Sequence, residues 1–491
     1  MMPAMEEVVR ILQDGANAAM TLEQIIQAEI SDWEGSEKRK WMLIGDRYYR
    51  NKTDIQKRKR TAIDEDGKLA VVEHLPNNRL VNGFVRKLVD QKTDYLLSKP
   101  LSIQTDNKEY QELLTEYFGK SMLRILRNLG KSSINKGIAW LHVFYDERGE
   151  LSFKPIPSEE IIPLWKDAAH TELDAVIRKY EIEAYEGINR ITISKVEWWD
   201  TKGVRRYEYR DSTLTVDVEM GEVAPHFAAI DDQGKETAMA WEKVPFIAFK
   251  YNDEEQPLVE LIKTLVDNYD RRKSDNANDL EDLPNNIIAV RGFGGSSAGE
   301  IRKNLSTYKI IKIDLDETGN GAGVDTISIQ IDTEAHEAHM KRNRKDIYEF
   351  GRGVDTQSEN FGGDKSGVAL RFLYSDLDMD ANGIETEFQA SLEQLRWFID
   401  THIENTTKVD YSNETVEFIF NRDIIINESE AIKNVKDSVG TISEETIIAN
   451  HPWVTNTKEE MKRILEERSE GEEDNDTYAT LRGKPTAGED E

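Results

Sequence analysis

The sequence predicts an α+β protein in which helical segments bracket a β-rich middle. Three observations lead there. Apolar residues recur at helical spacing across much of 22–129 and again after Pro257. From about 137 the period changes to that of short strands separated by turn residues. Two long, mostly polar helical stretches then flank a compact α/β insert at 286–331.

Residues 22–50 read as helical, with Trp33, Trp41 and the pair Tyr48–Tyr49, and the basic run QKRKR follows at 56–60. Val81, Val85, Leu88, Val89 and Leu96 mark the next helix, which Pro100 stops, and Leu113–Leu129 carries another helical pattern. IAWLHVFYDERGELSFKPIP is two β runs about a charged turn containing Gly149. AVIRKYEIEAYE, RITISKVEWWD, VRRYEYRDSTLTV and VPFIAFKYN continue an antiparallel meander set on helices. After Pro257, Leu258, Leu261, Ile262, Leu265, Val266 and Tyr269 form a single apolar stripe, and the helix then turns polar through DRRKSDNANDLEDL to Pro284. A helix that leaves its core in this way is expected to bridge solvent or to pack against copies of itself.

In the insert, NIIAVRGF, YKIIKIDL and VDTISIQI read as strands and SAGEIRKNL as a short helix. A second polar helix, TEAHEAHMKRNRKDIYEFGRG, runs back from 333, giving a stalk that carries a tip. Ile384, Phe388, Leu392, Leu395, Ile399 and Ile403 line a long helix with Trp397 and Phe398 alongside. TVEFIFNRDIII is a strand, and 429–468 reads as short helices. The acidic end, 469–491, has too little apolar content to bury and reads as disordered. No internal repeat is visible.

With 491 residues the chain has room for about three domains. Its net charge of −30 argues against a protein that coats nucleic acid by neutralising phosphates. The absence of cysteine excludes disulfides, thiolate metal sites and cysteine catalysis. No apolar run approaches the roughly 20 residues of a membrane span, and the N-terminus is acidic where a secretion signal needs a basic start. The expected origin is cytosolic.

SENFGGDKSGVALRFLYSDLD, 358–378, first looks like a phosphate cradle. A nucleotide loop needs G-x-x-x-x-G-K-[ST] after a strand; here Asp364 precedes Lys365-Ser366 and the preceding segment is helical. Mobility conferred by glycine is the better reading. DMDANGIETEFQ, 378–389, places Asp378, Asp380, Asn382 and Gly383 at calcium-loop positions, but Gln389 stands where the bidentate glutamate is required. A polar helix segment explains it more simply. His336, Glu337 and His339 miss the H-E-x-x-H spacing of a zinc helix and read as helix surface. QKRKR is expected to pair with acidic neighbours or a partner subunit rather than with nucleic acid. The eight histidines offer no nucleophile-elbow context. No cofactor and no catalytic residue is therefore expected.

Six stretches, in this order, carry a resemblance. They are YYRNKTDIQKRKR (48–60), NNRLVNGFVRKLVDQKTDYLLSKPLSI (77–103), GIAWLHVFYDERGELSFKPIPSEEIIPLW (137–165), VPFIAFKYNDEEQPLVELIKTLVDNYD (244–270), NFGGDKSGVALRFL (360–373) and ISEETIIANHPWV (442–454). Across roughly 40–465 the chain resembles the portal proteins of tailed bacteriophages, in particular the siphovirus portal family of phages infecting Gram-positive bacteria. The resemblance implies a portal fold with a wing over 1–256, stem helices at 257–284 and 333–353, and a clip at 285–332. It further implies a tunnel loop at 354–367, a long helix and strand of the wing at 368–427, a crown at 428–468 and the acidic tail at 469–491.

By the same resemblance the chain would form a ring of twelve copies at one capsid vertex, a non-enzymatic conduit for double-stranded DNA in packaging and ejection. Expected partners are the terminase large subunit, the major capsid protein and scaffold, and a head-completion adaptor; the place is the virion, after assembly in the host cytoplasm. The tunnel loop would comprise Asn360, Phe361, Gly362, Gly363, Asp364, Lys365, Ser366 and Gly367, with Lys365 as a transient phosphate contact and Arg371 a weaker one because it falls inside the helix. Arg302, Lys303 and Asn304 are candidate clip contacts to terminase or adaptor. Two rival classes remain. A minor capsid or scaffold-type protein would lack a DNA channel. A packaging enzyme needs a phosphate loop or carboxylate–metal cluster that this sequence does not present.

Overall fold

The computed structural model describes residues 20–63, 69–73, 75–218, 220–230, 236–282, 286–291, 310–313, 323–328, 333–357, 367–422, 428–449, 451, 453–454, 457 and 460–467. The chain divides into two compact units, one through Val354 together with Asp376–Asp423, the other comprising Asp355–Ser375 and Ile424 onward.

The first unit opens with α1 (Leu22–Gly35) and α2 (Glu37–Tyr49). Thr21 and Gln24 form a capping box, each side chain accepting from the other's backbone N–H. Ser36 turns the corner: its hydroxyl donates to Trp33 O and accepts from Arg39 N. That serine divides the single helical stretch expected over 22–50 into two helices. A 3₁₀ turn (Asp54–Lys57) and the hairpin β1 (Thr61–Ile63) and β2 (Leu69–Val71) follow. The described residues between β2 and α3 (Phe84–Leu97) have no regular structure. After β3 (Ser102–Gln104), the pattern expected at 113–129 proves to be α4 (Lys108–Tyr117) and α5 (Lys120–Lys136), broken at Phe118-Gly119. α5 ends at Gly137, where φ is 84° and a Cβ would lie 1.9 Å from Glu255 O, so a side chain is excluded twice over.

The β region is the meander expected. β4 (Ile138–Tyr145) and β5 (Leu151–Ile156) pair as a hairpin. β6 (Ile161–Trp165), β7 (Leu173–Glu186), β8 (Asn189–Asp200), β9 (Gly203–Arg210) and β10 (Thr213–Val216) follow one another across an antiparallel sheet, with β11 (Val223–Ala224) also on β9. β12 (Phe227–Ile230) and β13 (Glu236–Met239) make a separate hairpin, and β14 (Phe246–Lys250) returns to pair with β4. Met42, Trp140, Trp165, Trp199 and Phe246 form one core cluster, which ties α2 to both sheets. Ile26 and Ile30 of α1 pack on Ile162, Ile177, Val196 and Trp198.

Next come α6 (Leu258–Asp282), the insert strands β15 (Asn286–Arg291), β16 (Ile310–Ile313) and β17 (Gly323–Ser328), and α7 (Thr333–Phe350). β15 is central, parallel to β16 and antiparallel to β17. A parallel pair requires a crossover; the helix expected at SAGEIRKNL falls in that connection, outside the described residues. α8 (Gly367–Thr407) is 41 residues long. All six stripe positions named from the sequence are buried, with Phe388 against Phe249 (ring centroids 5.0 Å) and Ser391 Oγ donating to Ala248 O at 2.6 Å. β18 (Glu417–Ile419) pairs with β3.

The second unit holds the first turns of α8, then α9 (Glu428–Asp437), α10 (Glu444–Ala449) and helical residues 460–467. Among the residues from 428 onward whose side-chain exposure is described, none is buried. The N-terminal 19 residues and the acidic tail lie outside the described residues.

Candidate functional site

α6 and α7 run antiparallel side by side: Asn343 Nδ2 donates to Leu265 O at 3.2 Å, and His339 Nε2 lies 3.1 Å from Asn268 Oδ1. His339 is thereby used in helix pairing, and no group of residues able to hold a metal ion occurs among the described residues. The apolar stripe expected on α6 needs correction, since Leu261 is 44% exposed. The buried line steps by four residues, through Leu258, Ile262, Val266, Asp270, Ser274 and Asn278. Its first half is apolar and its second half polar.

The polar half meets the chain's own backbone rather than leaving the core. The segment that enters α3 lies along it, and alternate amides are caught in turn. Asn78 N donates to Asn278 Oδ1 (2.6 Å), Leu80 N to Ser274 Oγ (3.0 Å) and Asn82 N to Asp270 Oδ1 (3.0 Å). Asp270 also accepts from Asn82 Nδ2 and Thr53 Oγ1. The periods match: four helical residues rise about 6.0 Å, and two extended residues about 6.6 Å. The basic run is drawn into the same region, with Arg58 Nη2 at 2.5 Å from Asp275 Oδ1 and Arg60 Nη1 donating to Pro76 O. Pairing with acidic neighbours is the expectation for that cluster, and Arg58 meets it.

Where α7 ends, the backbone is clasped by α3. Gln91 makes two bonds to Val354, accepting from its N–H at 2.9 Å and donating to its carbonyl at 3.1 Å. Arg352 sits in the left-handed region (φ 48°), and its carbonyl accepts from Lys92 Nζ at 3.0 Å. Lys92 Nζ also lies 2.7 Å from Asp380 Oδ2, and Tyr251 OH donates to the same carboxylate at 3.0 Å. Burial pushes the Lys92 pKa down while Asp380 opposes it; Tyr251 is raised by burial and by the same carboxylate.

The calcium-like stretch therefore has another use. Residues 378–389 lie within α8, with no loop to wrap an ion. Asp378 takes Tyr95 OH and Arg422, Glu385 takes Arg422 Nη2 at 2.5 Å, and Asp380 takes Lys92.

Comparison with known proteins adds to this frame. The family model described as "Phage portal protein, SPP1 Gp6-like" matches residues 34–474. The chain is 32% identical over 447 residues to the portal protein of Bacillus phage SPP1, covering 90% of this chain and 85% of that one. It is 32% identical over 442 residues to the portal protein of Clostridium phage phiCD119, covering 88% and 93%. This chain belongs to the SPP1-type phage portal family. A chain in a solved structure titled "Neck of native GTA particle computed with C12 symmetry" aligns over 76% of this chain and 90% of its own, at 12% identity and a TM-score of 0.37, too slight a likeness to carry an argument.

Asn360, Phe361, Gly362, Gly363, Asp364, Lys365 and Ser366, expected from the sequence to belong to a tunnel loop, lie outside the described residues, as do Arg302, Lys303 and Asn304. Gly367 is the first residue of α8, and the Arg371 backbone is helical. In chain order α7 and its clasped turn precede residues 360–366 and α8 follows them. Two cationic runs on the portal's helix pair read from sequence as merely polar. Arg271, Arg272 and Lys273 on α6, and Lys341, Arg342 and Lys345 on α7, are all exposed. The spellings RRK and KRNRK in an acidic chain are the available signal. No helix among the described residues is long and apolar enough to cross a membrane.

Proposed function

We propose that twelve copies of this chain form a ring at one capsid vertex, and that double-stranded DNA passes through its centre during packaging and ejection. The observation that carries this reading is the match to portal proteins over about 90% of the chain. The exposed charged residues of the helix pair, Arg271, Arg272, Lys273, Lys341, Arg342 and Lys345, support it, because an aqueous channel needs a hydrophilic wall. At −30 per chain, twelve copies hold roughly −360, facing DNA with one charge per about 1.7 Å of axis. Such walls disfavour tight binding, which suits a conduit. Lys365 and the exposed cations of α6 and α7 would make brief phosphate contacts without reading sequence.

In this reading the insert strands and the segment holding Arg302, Lys303 and Asn304 form the clip. There the terminase large subunit docks during packaging and a head-completion adaptor replaces it afterwards. ATP hydrolysis belongs to the terminase and not to this chain. Residues through 256 and the long helix form the wing, which meets the major capsid protein and scaffold as the particle assembles in the host cytoplasm; residues 428–468 form the crown. Electron microscopy of the purified chain tests the core of this proposal. Rings with a central channel are expected. A strict monomer at every concentration would sink it, and closed particles without a channel would favour a minor capsid or scaffold-type role.

A further inference from the structure

The first unit has a cavity of about 540 Å³ between the β12–β13 hairpin with its exit and the C-terminal half of α8. Nothing in the portal reading uses it. Its floor is aromatic: Trp241 is buried, with Phe227 4.9 Å and Trp397 6.4 Å away between ring centroids. Its wall is acidic, with Glu242, Glu393, Asp400, Glu404 and Asp410 against two cations.

Those two cations are already placed. Arg396 is spent inward, donating to Tyr110 OH at 3.0 Å, to Asp400 at 3.2 Å and to the carbonyl of Glu414. Lys243 holds its ammonium 4.6 Å from the centre of the Trp397 ring. A cation therefore already sits on the indole face, where ring quadrupole and surrounding carboxylates favour it together. Lys243 and Glu242 are exposed between the buried Trp241 and Val244, so solvent reaches the Lys243 side chain. Glu404 and Asp410 are exposed at the wall, where an incoming positive charge would meet them.

We propose that this cavity takes an arginine or lysine side chain from a basic segment of a partner protein, which displaces Lys243 from Trp397 and pairs with Glu404 and Asp410. Charge complementarity selects the occupant. A net excess of three carboxylates repels acidic peptides and nucleic acid, and the indole face prefers a guanidinium or ammonium to a neutral side chain. The inference goes beyond the conduit reading and does not depend on ring formation.

Calorimetric titration of the full chain with N-acetylated, C-amidated hexa-arginine tests it, with hexa-glutamine as the control peptide. Trp397→Ala is expected to weaken hexa-arginine binding at least fivefold, and the pair Glu404→Gln/Asp410→Asn to weaken it similarly and flatten its salt dependence. Lys243→Ala is expected to tighten binding at least threefold, a gain that misfolding cannot imitate. Glu445→Gln/Glu467→Gln, two exposed carboxylates of the second unit, should change nothing. If the cavity variants bind hexa-arginine as the parent chain does, the peptide is held by the acidic surface at large and the proposal falls. Increased self-association of Lys243→Ala with unchanged peptide affinity would assign the cavity to a second copy instead, and would also overturn it.

Discussion

Lys92 Nζ and Asp380 Oδ2 are 2.7 Å apart, with side chains 1% and 8% exposed, and they join α3 to α8. The same ammonium holds the Arg352 carbonyl, so one buried charge pins the turn that follows α7. Removing one partner strands the other charge out of water, which costs about 3–5 kcal/mol. Lys92→Met and Asp380→Leu should each lower unfolding stability by that order in urea titration. Lys92→Met/Asp380→Leu should recover more than half of the summed loss. A double variant as unstable as the sum would show that the pair matters through packing alone.

The match between α6 and the segment before α3 predicts alternating amide exchange. The amides of Asn78, Leu80 and Asn82 donate to side chains of α6, whereas no such bond is made by those of Arg79 and Val81. Hydrogen exchange should therefore be slow at 78, 80 and 82 and faster at 79 and 81. Ser274→Ala, which deletes the acceptor for Leu80, should speed that amide about fivefold, the equivalent of about 1 kcal/mol. Uniform protection along 78–82 would show that the side-chain acceptors are not what protects it.

Acid should loosen the structure around Glu255. Burial alone would raise its pKa, but the hydrogen bond from His170 (2.8 Å) and the charge of Lys38 outweigh burial and hold it at about 2. Since the folded value lies below the ordinary 4.5, the resulting stability is present above pH 4.5 and is lost as pH falls toward 2. Its size is on the order of 3 kcal/mol. Urea midpoints measured between pH 6 and pH 3 should fall less steeply in Glu255→Gln than in the parent, and the variant should start lower at pH 6. Parallel curves would remove Glu255 from the acid response.

If the cations of the helix pair touch passing DNA, Arg271→Gln/Arg272→Gln/Lys273→Gln should flatten the salt dependence of DNA binding by the assembled ring. The expected change is about 0.9 in the slope of log K against log salt for each cation–phosphate pairing removed. An unchanged slope would place that run outside the channel.

Lys365→Ala is expected to leave ring assembly intact in electron micrographs. Failure to form rings would make Lys365 structural instead.

The element types are legible in the sequence because they rest on local periodicity. The stripe of α8, the strand runs after 137 and the two polar helices all stand where the spacing puts them. Helix breaks are not legible: Ser36 and Phe118-Gly119 interrupt patterns whose apolar spacing continues across them. For the candidate site the sequence names Lys365, which lies outside the described residues, whereas the exposed cations at 271–273 and 341–345 merge into polar helix surface when read as sequence.

What the sequence determined by itself was the order of elements and the family, since periodicity and the succession of stretches along the chain need no knowledge of distant contacts. What only the tertiary structure decided was the partner of each polar group. Asp270, Ser274 and Asn278 read as the solvent face of a stem helix until residues about 190 positions away supplied three backbone amides at a matching repeat. Asp378, Asp380 and Glu385 stand in a calcium-like spelling until Arg422 and Lys92 supply their counter-charges. A carboxylate is spelled identically whether it faces water, a metal or a buried ammonium; desolvation and the partner's approach distinguish these cases, and both are set by the fold.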